Sequence, residues 1–269
     1  MGPGRYRRSL AERRRTEDLL KAVAEGGRTA LEVGARDGLH SAWLTGYFES
    51  VIALDIEPLR FRVPRVTNVQ GDVTSLCFRD DCFDAVICAE VLEHVRDVEK
   101  ACQEVVRVAK RSVVIGVPYR QDLRVGQTTC RNCGRTSPPW GHLHSFDERR
   151  LKELFPALEI VSTSFVCEVR RRTNPVSAWL MGLAGNPWGS YDQQEPCVHC
   201  GRKLEAPARR TFVQRVASAI ATRLDKLQNR LARPRPAWIH VVLAKPNPSE
   251  RCRSMDVGRT RSRGASASQ

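Results

Sequence analysis

The sequence predicts an α/β fold, in which helices cover both faces of a parallel β-sheet. Three observations lead to this prediction. Short apolar runs alternate with segments of helical periodicity, the apolar runs are continuous, and several of them end on glycine or on a carboxylate. Continuous apolar runs are typical of parallel strands that are buried on both faces. With 269 residues, the chain is long enough for one such core and a sizeable insertion.

The predicted elements follow one another in this alternating order. The first helix is expected from about Thr16 to Glu25, with Thr16 as its N-cap, and the helix that opens at Gly38 is expected to reach about Phe48. Strands are predicted at 30–34, 51–55, 67–72, 83–89, 112–117, 158–169 and 238–244, and further helices at 98–109, 147–155 and 211–232. The alternation stops at Pro118, beyond which loops and pairs of cysteines begin.

A division of the chain into a core and its appendages follows from these elements. We expect a basic arm at 1–15, a core at 16–170 with a cysteine-containing loop at 126–145, an insertion at 171–236, a closing strand at 237–246 and a disordered tail at 247–269. The tail is polar and rich in serine and arginine, a composition that buries too little apolar surface to fold.

The chain carries a formal net charge of +14, from 44 Lys and Arg against 30 Asp and Glu. The basic excess lies at 1–15, 206–235 and 246–269, and the remainder is close to neutral. Such segments either face an anionic partner, such as nucleic acid, lipid headgroups or a phosphorylated substrate, or are solvated tails. No apolar run is long enough for a membrane span, and the first residues lack the apolar core of a secretory signal. We therefore expect a cytoplasmic protein.

A glycine-containing segment at 31–38, Leu-Glu-Val-Gly-Ala-Arg-Asp-Gly, separates the first predicted strand from a helix. Glycine in such a turn lets the backbone approach a ligand closely, and the helix N-terminus is expected to offer free N–H groups. Asp55 closes the second strand, where an acid can bind ribose hydroxyls, and Asp72 closes the third. These residues fall at the carboxyl ends of strands, where doubly wound sheets bind their ligands. Without the full G-x-G-x-x-G pattern, a dinucleotide site is disfavoured.

These motifs resemble those of the class I S-adenosylmethionine-dependent methyltransferases. The matching segments are Glu32-Val-Gly34 with Gly38, Asp55, Gly71-Asp72, Phe83-Asp84-Ala-Val86 and Val91-Leu-Glu93-His94. The resemblance implies a Rossmann-like, doubly wound sheet of seven strands, mostly parallel with an antiparallel last strand, and S-adenosyl-L-methionine as cofactor. One departure is Arg36, at a position where the family often has glycine, and its side chain narrows the loop.

The resemblance also implies which residues hold the cofactor. The loop is expected to hold the methionine part, Asp55 the ribose, Ile56 the side of the adenine ring, and Asp72 the adenine amino group. Glu32 is expected to be oriented towards the methionine amino group. The other predicted cofactor residues are Gly34, Ala35, Gly38, Val73, Ala89 and Glu90.

A second motif, Glu90-Val-Leu-Glu93-His94, follows the fourth predicted strand. Side chains at i, i+3 and i+4 can converge on one face of a helical turn. The pattern is similar to the segment that binds a divalent ion in ubiquinone-pathway O-methyltransferases and small-RNA 2′-O-methyltransferases. That similarity implies a Mg²⁺ site, completed here by His142. The alternative is that the segment only shapes the cofactor pocket; His94, His142 and His144 are in either case candidates for a general base.

The sequence contains two Cys-x-x-Cys-Gly motifs, Cys130 with Cys133 and Cys197 with Cys200. Glycine allows the tight turn in which backbone N–H groups face thiolates, and four thiolates suit tetrahedral zinc. In a chain without a secretory signal, this spacing favours metal over disulfides. We therefore predict one closed, structural zinc site that joins the loop after the fifth strand to the insertion. A competing assignment combines the first motif with His142 and His144.

The insertion contains an apolar stretch at 175–188 and a basic amphipathic helix at 211–232. The helix has two alternative interpretations: it lies on an anionic membrane surface, or it packs within the protein or against a second copy. In the first case the protein is peripheral to the inner face of the membrane, and its acceptor is lipid-linked or a glycan precursor.

Together these features predict an S-adenosylmethionine-dependent methyltransferase that modifies an oxygen of a small-molecule, sugar or lipid-linked acceptor. Two alternatives stay open. One is an RNA methyltransferase, which the basic segments and the zinc site favour, and the other is a non-catalytic binding module in which Arg36 blocks the cofactor. No motif predicts the acceptor or the oligomeric state.

Overall fold

The computed structural model describes residues 9–246 and contains a seven-stranded sheet. In chain order the strands are β1 (Gly27–Val33), β2 (Phe48–Asp55), β3 (Val66–Gln70), β4 (Phe83–Ala89), β5 (Ala109–Pro118), β6 (Thr128–Thr129), β7 (Thr136–Ser137), β8 (Glu159–Val169) and β9 (Arg235–Ala244). The helices of these residues are α1 (Leu10–Ala22), α2 (Leu39–Leu44), α3 (Val98–Val108), α4 (Glu148–Leu154), α5 (Pro175–Leu183) and α6 (Phe212–Leu231). Strands β6 and β7 form a separate two-stranded ribbon.

The order of strands across the main sheet is β3-β2-β1-β4-β5-β9-β8. Neighbours from β3 to β5 are parallel, whereas β9 is antiparallel to both β5 and β8. The predicted mostly parallel, doubly wound sheet with an antiparallel last strand is therefore confirmed. The strand order reverses between β1 and β4. Doubly wound sheets bind their ligands at this switch point, outside the carboxyl ends of the strands.

Apolar side chains fill the core on both faces of the central strands, as the continuous apolar runs predict. The run 113–117 of β5 is completely buried, and β9 is largely buried over 239–243. Helix α3 begins where the Asp97 carboxylate accepts a hydrogen bond from the Lys100 N–H (3.1 Å). The buried stripe of α3 consists of Val98, Ala101, Cys102, Val105 and Val108.

The first helix begins six residues earlier than predicted. Ser9 is its N-cap, because the Ser9 hydroxyl accepts a hydrogen bond from the Glu12 N–H (3.1 Å). Thr16, the expected cap, is instead a buried residue of α1, and so is Arg15. The predicted basic arm at 1–15 is therefore wrong from residue 10 onwards. Residues 1–8 of that arm, and the tail predicted at 247–269, lie outside the described residues.

The second helix is shorter than predicted, since α2 ends at Leu44 and Phe48 opens β2. Phe48 pairs with Gly27 of β1, and the Gly27 N–H donates to the Tyr47 carbonyl (3.1 Å). Pairing with β1 therefore places Phe48, the expected last residue of the helix, at the start of β2.

The insertion predicted at 171–236 contains α5 and α6, which pack against each other and are called the helical hairpin below. The predicted helix at 211–232 is confirmed. Thr211 and Gln214 form its capping box, in which each side chain accepts a hydrogen bond from the backbone N–H of the other residue. Within residues 9–246, no helix is both long and apolar enough to cross a bilayer.

Candidate active site

The loop between β1 and α2 requires glycine at two positions. Gly34 has a φ of 79°, and a Cβ built there would lie 2.3 Å from Cγ2 of Val91. Gly38 has a φ of 77°, and its Cβ would lie 2.4 Å from Cε2 of Phe61. Both values lie in the left-handed region, which residues with a Cβ seldom adopt. The backbone therefore turns tightly at the switch point of the sheet, where a ligand can approach it closely.

Asp55, the last residue of β2, fastens this loop to the neighbouring strand. Its carboxylate accepts hydrogen bonds from the backbone N–H groups of Arg36 (2.9 Å) and Glu57 (3.0 Å). Arg36 has a φ of 47°, so it adopts the left-handed conformation that favours glycine, and its side chain is exposed. The guanidinium of Arg36 therefore reaches solvent instead of filling the turn.

The loop uses its backbone donors internally. The N–H groups of Gly34 and Ala35 donate to the Leu54 carbonyl, at 2.8 and 3.1 Å, and the Gly38 N–H donates to the Ala35 carbonyl at 2.8 Å. The prediction of a free N–H group at the start of the helix is therefore wrong for Gly38, because that N–H already donates a hydrogen bond within the turn. The loop can still hold a ligand because its backbone can approach the ligand closely and because the turn has a defined shape.

The ends of β2 and β3 bring together Asp55, Ile56, Asp72 and Val73. Ile56 is 66% exposed although it is a large apolar residue, whereas Val73 is buried. The Asp72 carboxylate accepts hydrogen bonds from the N–H and the hydroxyl of Thr74, both at 2.8 Å. An exposed apolar surface between two carboxylates suits a planar base that carries polar groups at its edges.

Glu32 lies in β1 directly before the loop and is buried. Its carboxylate accepts a hydrogen bond from the Ser41 hydroxyl and lies 3.6 Å from Nδ1 of His40. Both partners belong to α2, so this buried carboxylate holds α2 against the sheet below the loop.

Glu93, His94 and His142 form a second group beside the end of β4. Their ligand atoms all lie within 4.8 Å of one another. A backbone hydrogen bond from the Leu143 N–H to the Glu93 carbonyl (2.6 Å) joins the two segments. The rings of His94 and His142 meet edge to face, with their centroids 4.7 Å apart. Three of the four predicted Mg²⁺ ligands are therefore brought together.

Burial sets the protonation states of this group. Oε2 of Glu93 is buried without a hydrogen-bond partner, and burial, together with the nearby Glu90 carboxylate, raises the pKa of Glu93 to about 8. Burial and the neighbouring His94 lower the pKa of His142 to about 3. Nδ1 of His142 lies 2.6 Å from Oε1 of Gln121, which can only accept a hydrogen bond. Nε2 of the neutral His142 is then free to accept a hydrogen bond.

Glu90, the fourth predicted ligand, lies outside this group. Its carboxylate is 3.1 Å from a guanidinium nitrogen of Arg15, in α1. Arg15 is buried, pairs with Glu12 at 2.5 Å and stacks on Trp238, 4.0 Å from the ring centroid. Arg15 was expected in a basic arm, although the Ser-x-x-Glu cap that begins at Ser9 indicates a helix there.

His144, the third histidine predicted as a possible base, also lies apart. Its Nε2 is 2.7 Å from the Val95 carbonyl, to which it donates. His144 therefore holds the segment after His142 against the turn that follows β4. Ala89, the last residue of β4, is half-buried beside Glu90.

An open groove rich in arginine adjoins the histidines. It has a volume of about 590 Å³ and is lined by Arg120, Gln121, Asp122, Leu123, Arg124, Ser145, Arg172 and Arg235. Gln121 connects the two features, because it lines the groove and contacts His142. Asp122 is the one carboxylate of this lining and pairs with Arg124 at 2.8 Å. The lining therefore has an excess of positive charge, which sequence reasoning did not predict at this site.

The two cysteine motifs meet in space, 64 residues apart in sequence. Sγ of Cys130 lies 3.6 Å from Sγ of Cys200, and Sγ of Cys133 lies 3.7 Å from Sγ of Cys197. Disulfides require about 2.05 Å, whereas four sulfurs at about 2.3 Å around a tetrahedral zinc ion would lie about 3.8 Å apart. The cluster matches the second value. It also leaves the competing set with His142 and His144 unformed.

The two motifs have the same turn geometry. The glycine after each motif, at positions 134 and 201, has a φ near 70° and donates its N–H to the carbonyl of the first cysteine at 2.9 Å. The N–H of each first cysteine in turn donates to the carbonyl five residues later, also at 2.9 Å. Two equivalent knuckles therefore supply the four sulfurs.

Comparisons with known sequences and with solved structures relate this chain to methyltransferases. Residues 31–115 match the family model described as a methyltransferase domain. Over 103 residues the chain is 34% identical to the demethylmenaquinone methyltransferase of Renibacterium salmoninarum. That alignment covers 36% of this chain and 43% of the relative, so the chain spans less than half the length of this curated protein.

Solved structures extend the comparison to most of the chain. A protein of Bacillus halodurans C-125, for which methyltransferase activity has been proposed, shares 14% identity at a TM-score of 0.51 and covers 86% of this chain and 99% of its own. The sheet has the methyltransferase fold. The N-methyltransferase NodS of Bradyrhizobium japonicum, in complex with S-adenosyl-L-homocysteine, shares 14% identity at a TM-score of 0.50 and covers 91% of this chain and 92% of its own. The matched methyltransferase-domain segment, residues 31–115, ends before the four cysteines.

Proposed function

We propose that this protein is an S-adenosylmethionine-dependent methyltransferase that acts on an oxygen of its acceptor. The observation that carries the proposal is the convergence of the glycine turn, Asp55 and Ile56 at the switch point of a methyltransferase fold. The matched methyltransferase-domain segment, residues 31–115, includes all three features. The exposure of the Arg36 side chain supports a turn that is open to the cofactor.

The protein's contribution to the reaction is chiefly alignment. When bound, the cofactor supplies a methyl group on a positively charged sulfur. In our proposal, the loop from Gly34 to Gly38 holds the methionine part, Asp55 holds the ribose hydroxyls, and Ile56 supports one face of the adenine ring. Holding two reactants in line provides much of the rate of such a transfer.

His142 is our proposed general base. Gln121 orients its ring so that Nε2 can accept a hydrogen bond, and then the proton, from an acceptor hydroxyl. Because a general base needs a pKa near the working pH, the proposal requires the pKa of His142 to rise from about 3 when the acceptor binds. The Glu93 carboxyl beside it is buried and has a raised pKa, so its protonated form can donate a hydrogen bond within this group of side chains. His94 then lies at the exposed edge of the group, where it completes the wall of the acceptor site.

The acceptor is, in our proposal, a small molecule, sugar or lipid-linked compound with an anionic group such as phosphate. The arginine-rich groove supports this class of acceptor, because it adjoins His142 through Gln121. Planar guanidinium groups bind phosphate oxygens by paired hydrogen bonds. Arg172 in particular has no ion pair with a carboxylate among residues 9–246 at the distances of a salt bridge.

The four cysteines are proposed to hold a structural zinc ion. The sulfur separations of 3.6 and 3.7 Å and the two matched turns support this proposal. All four ligand positions come from cysteine, so no position remains for catalysis. The ion would hold the loop at 126–145 against the insertion, since each contributes one motif.

A divalent cation at Glu93, His94 and His142 is the second proposal for this group. Three convergent ligand atoms favour it, whereas the pairing of Glu90 with Arg15 removes a carboxylate from the predicted set. The two proposals differ in one measurable respect. A metal-assisted reaction by the zinc-loaded protein depends on added Mg²⁺, whereas a reaction that uses His142 alone does not.

The test is transfer of tritiated methyl groups from S-adenosylmethionine to acceptors in a cell extract, separated afterwards into organic-soluble, small aqueous and RNA fractions. We expect label in a non-RNA fraction and a loss of about 10²–10⁴-fold in His142→Gln. Label confined to RNA would contradict the acceptor class. An unchanged rate in His142→Gln would contradict the assignment of the base.

A further inference from the structure

The helical hairpin packs through small and polar residues and leaves its large apolar residues outside. The buried residues of α6 are small: Ala217, Ser218 and Ala221. Its large apolar residues face outward, and Phe212, Leu227 and Leu231 are 74%, 62% and 79% exposed. Amphipathic helices of globular proteins normally bury such a face, so this surface requires an explanation.

Polar contacts join the two helices. The Ser177 hydroxyl donates to the Ala221 carbonyl (3.4 Å), and the Asn174 amide donates to the Gln228 side chain (3.1 Å). At the base of the hairpin, the Thr173 hydroxyl donates to a carboxylate oxygen 2.9 Å away, on Asp225. Small and polar residues at a helix interface, with apolar residues outside, are typical of helices in contact with lipid.

Helix α5 repeats this arrangement. Val176, Trp179 and Leu183 are spaced i, i+3 and i+7, so they form one stripe, and each is more than half exposed. Trp188, just after the helix, is 61% exposed. Tryptophan is enriched at membrane–water interfaces, where its amphipathic ring is stabilised.

A basic stripe borders the apolar face of α6. Arg223, Lys226 and Arg230 recur at i, i+3 and i+7, and all three are exposed. No carboxylate within residues 9–246 forms an ion pair with any of them. The stripe therefore presents uncompensated positive charge beside exposed leucines.

We propose that the helical hairpin is a docking surface for a membrane leaflet that contains anionic lipids. The apolar stripes would enter the boundary between headgroups and acyl chains, and the basic stripe would contact lipid phosphates. A second copy of this chain fits less well, because a two-fold contact through α6 would bring the basic stripes of both copies to one interface. The hairpin cannot span the bilayer, since no helix within residues 9–246 is suitable.

This surface adjoins the groove assigned to the acceptor. Arg172 lines that groove, and its backbone N–H donates to the Asn229 side chain of α6 (2.8 Å). Docking of the hairpin would therefore bring the groove to the level of the headgroups. Membrane docking itself does not depend on the proposed methyl transfer, although its use in capturing a lipid-linked acceptor does.

The test is sedimentation of the zinc-loaded full chain with vesicles of phosphatidylcholine alone or of phosphatidylcholine with phosphatidylglycerol. We expect binding to the mixed vesicles, at least about tenfold tighter than to the neutral ones. Leu227→Gln/Leu231→Gln changes no charge and is expected to weaken binding to the mixed vesicles by about tenfold or more. Arg223→Gln/Lys226→Gln/Arg230→Gln is expected to abolish the preference for anionic lipid.

Val161→Gln is the matched control. Val161 lies in β8, outside the hairpin, and is 64% exposed, so its replacement should leave vesicle binding unchanged. Zinc content and thermal unfolding verify that each variant is folded. The proposal is overturned if the wild-type chain binds to neither kind of vesicle. It is also overturned if the leucine variant binds like the wild type, because binding would then be due to other basic segments. A dimer in light scattering that the leucine variant dissociates, without vesicle binding, would also overturn it.

Discussion

The cofactor end of the sheet and the helical hairpin place their apolar and polar residues in opposite ways. At the sheet, apolar runs are buried and carboxylates such as Asp55 and Asp72 collect where the strands end. In the hairpin, small and polar residues are buried and leucine, phenylalanine and tryptophan are exposed. The sheet therefore buries its own apolar residues, whereas the hairpin exposes them, and we propose that a membrane covers this surface.

The largest expected effect is that of removing zinc, which should destabilise the insertion and leave cofactor binding at the sheet unchanged. Cys200→Ser should abolish stoichiometric zinc, measured by metal analysis, and should lower the free energy of unfolding of the insertion by several kcal/mol, because the binding energy of a structural zinc ion contributes to folding. Limited proteolysis should then cleave first within 184–211. The sheet should still bind S-adenosylhomocysteine, since the residues assigned to the cofactor do not contact the cysteines.

Cys77→Ser is the matched control, because Cys77 is exposed and belongs to neither motif. It should retain one zinc ion per chain and the wild-type pattern of cleavage. Loss of cofactor binding in Cys200→Ser, with the sheet still folded by circular dichroism, would contradict the separation of the two regions.

A substitution in the arginine-rich groove is expected to have an intermediate effect, seen in the KM for the acceptor. Arg172→Ala removes a guanidinium that would bind the anionic group of the acceptor, and a charged hydrogen bond contributes about 1.5–3 kcal/mol. With an acceptor identified, steady-state kinetics should show KM raised by about tenfold or more and kcat nearly unchanged.

Arg149→Ala provides the comparison for that variant. Arg149 lies on α4, has an 86% exposed side chain and does not line the groove. An equal rise of KM in both variants would indicate a general effect of charge and would contradict a specific site at Arg172.

The smallest expected effect concerns the cofactor loop. Arg36 adopts a left-handed conformation that favours glycine, so Arg36→Gly should relieve strain of about 1 kcal/mol. Part of this gain is offset by the larger entropy of glycine in the unfolded chain. Thermal unfolding should therefore change little, and cofactor affinity should stay within a few-fold of the wild type. A large gain in affinity would mean that Arg36 blocks the site.

The sheet was predictable from sequence because its signals are local. Continuous apolar runs, each ended by glycine or a carboxylate, indicate strands and the edge where their ends meet. The cysteine motifs could equally be identified from sequence, since their spacing and glycines specify the turn. The meeting of Glu93, His94 and His142 followed from a motif combined with a resemblance, and the structure brings these three together.

Other features depend on contacts between distant segments, which the sequence does not display. Arg15 looked like part of a solvated arm, yet contacts with Glu90 and Trp238 bury it. Gln121 has no motif, and only the fold brings it to His142. For α6, the periodicity reveals that one face is apolar but not which face packs, because the spacing is the same for a buried and an exposed stripe.

The most direct test of the central claim is calorimetric titration of the zinc-loaded protein with S-adenosylhomocysteine. We predict micromolar binding to one site per chain, weakened at least about tenfold in Asp55→Ala, which removes the carboxylate that holds the loop and that we propose binds the ribose. Glu49→Ala, at the exposed opposite end of β2, should bind like the wild type. No heat of binding from folded protein, or an unchanged affinity in Asp55→Ala, would contradict the claim that this end of the sheet binds the cofactor.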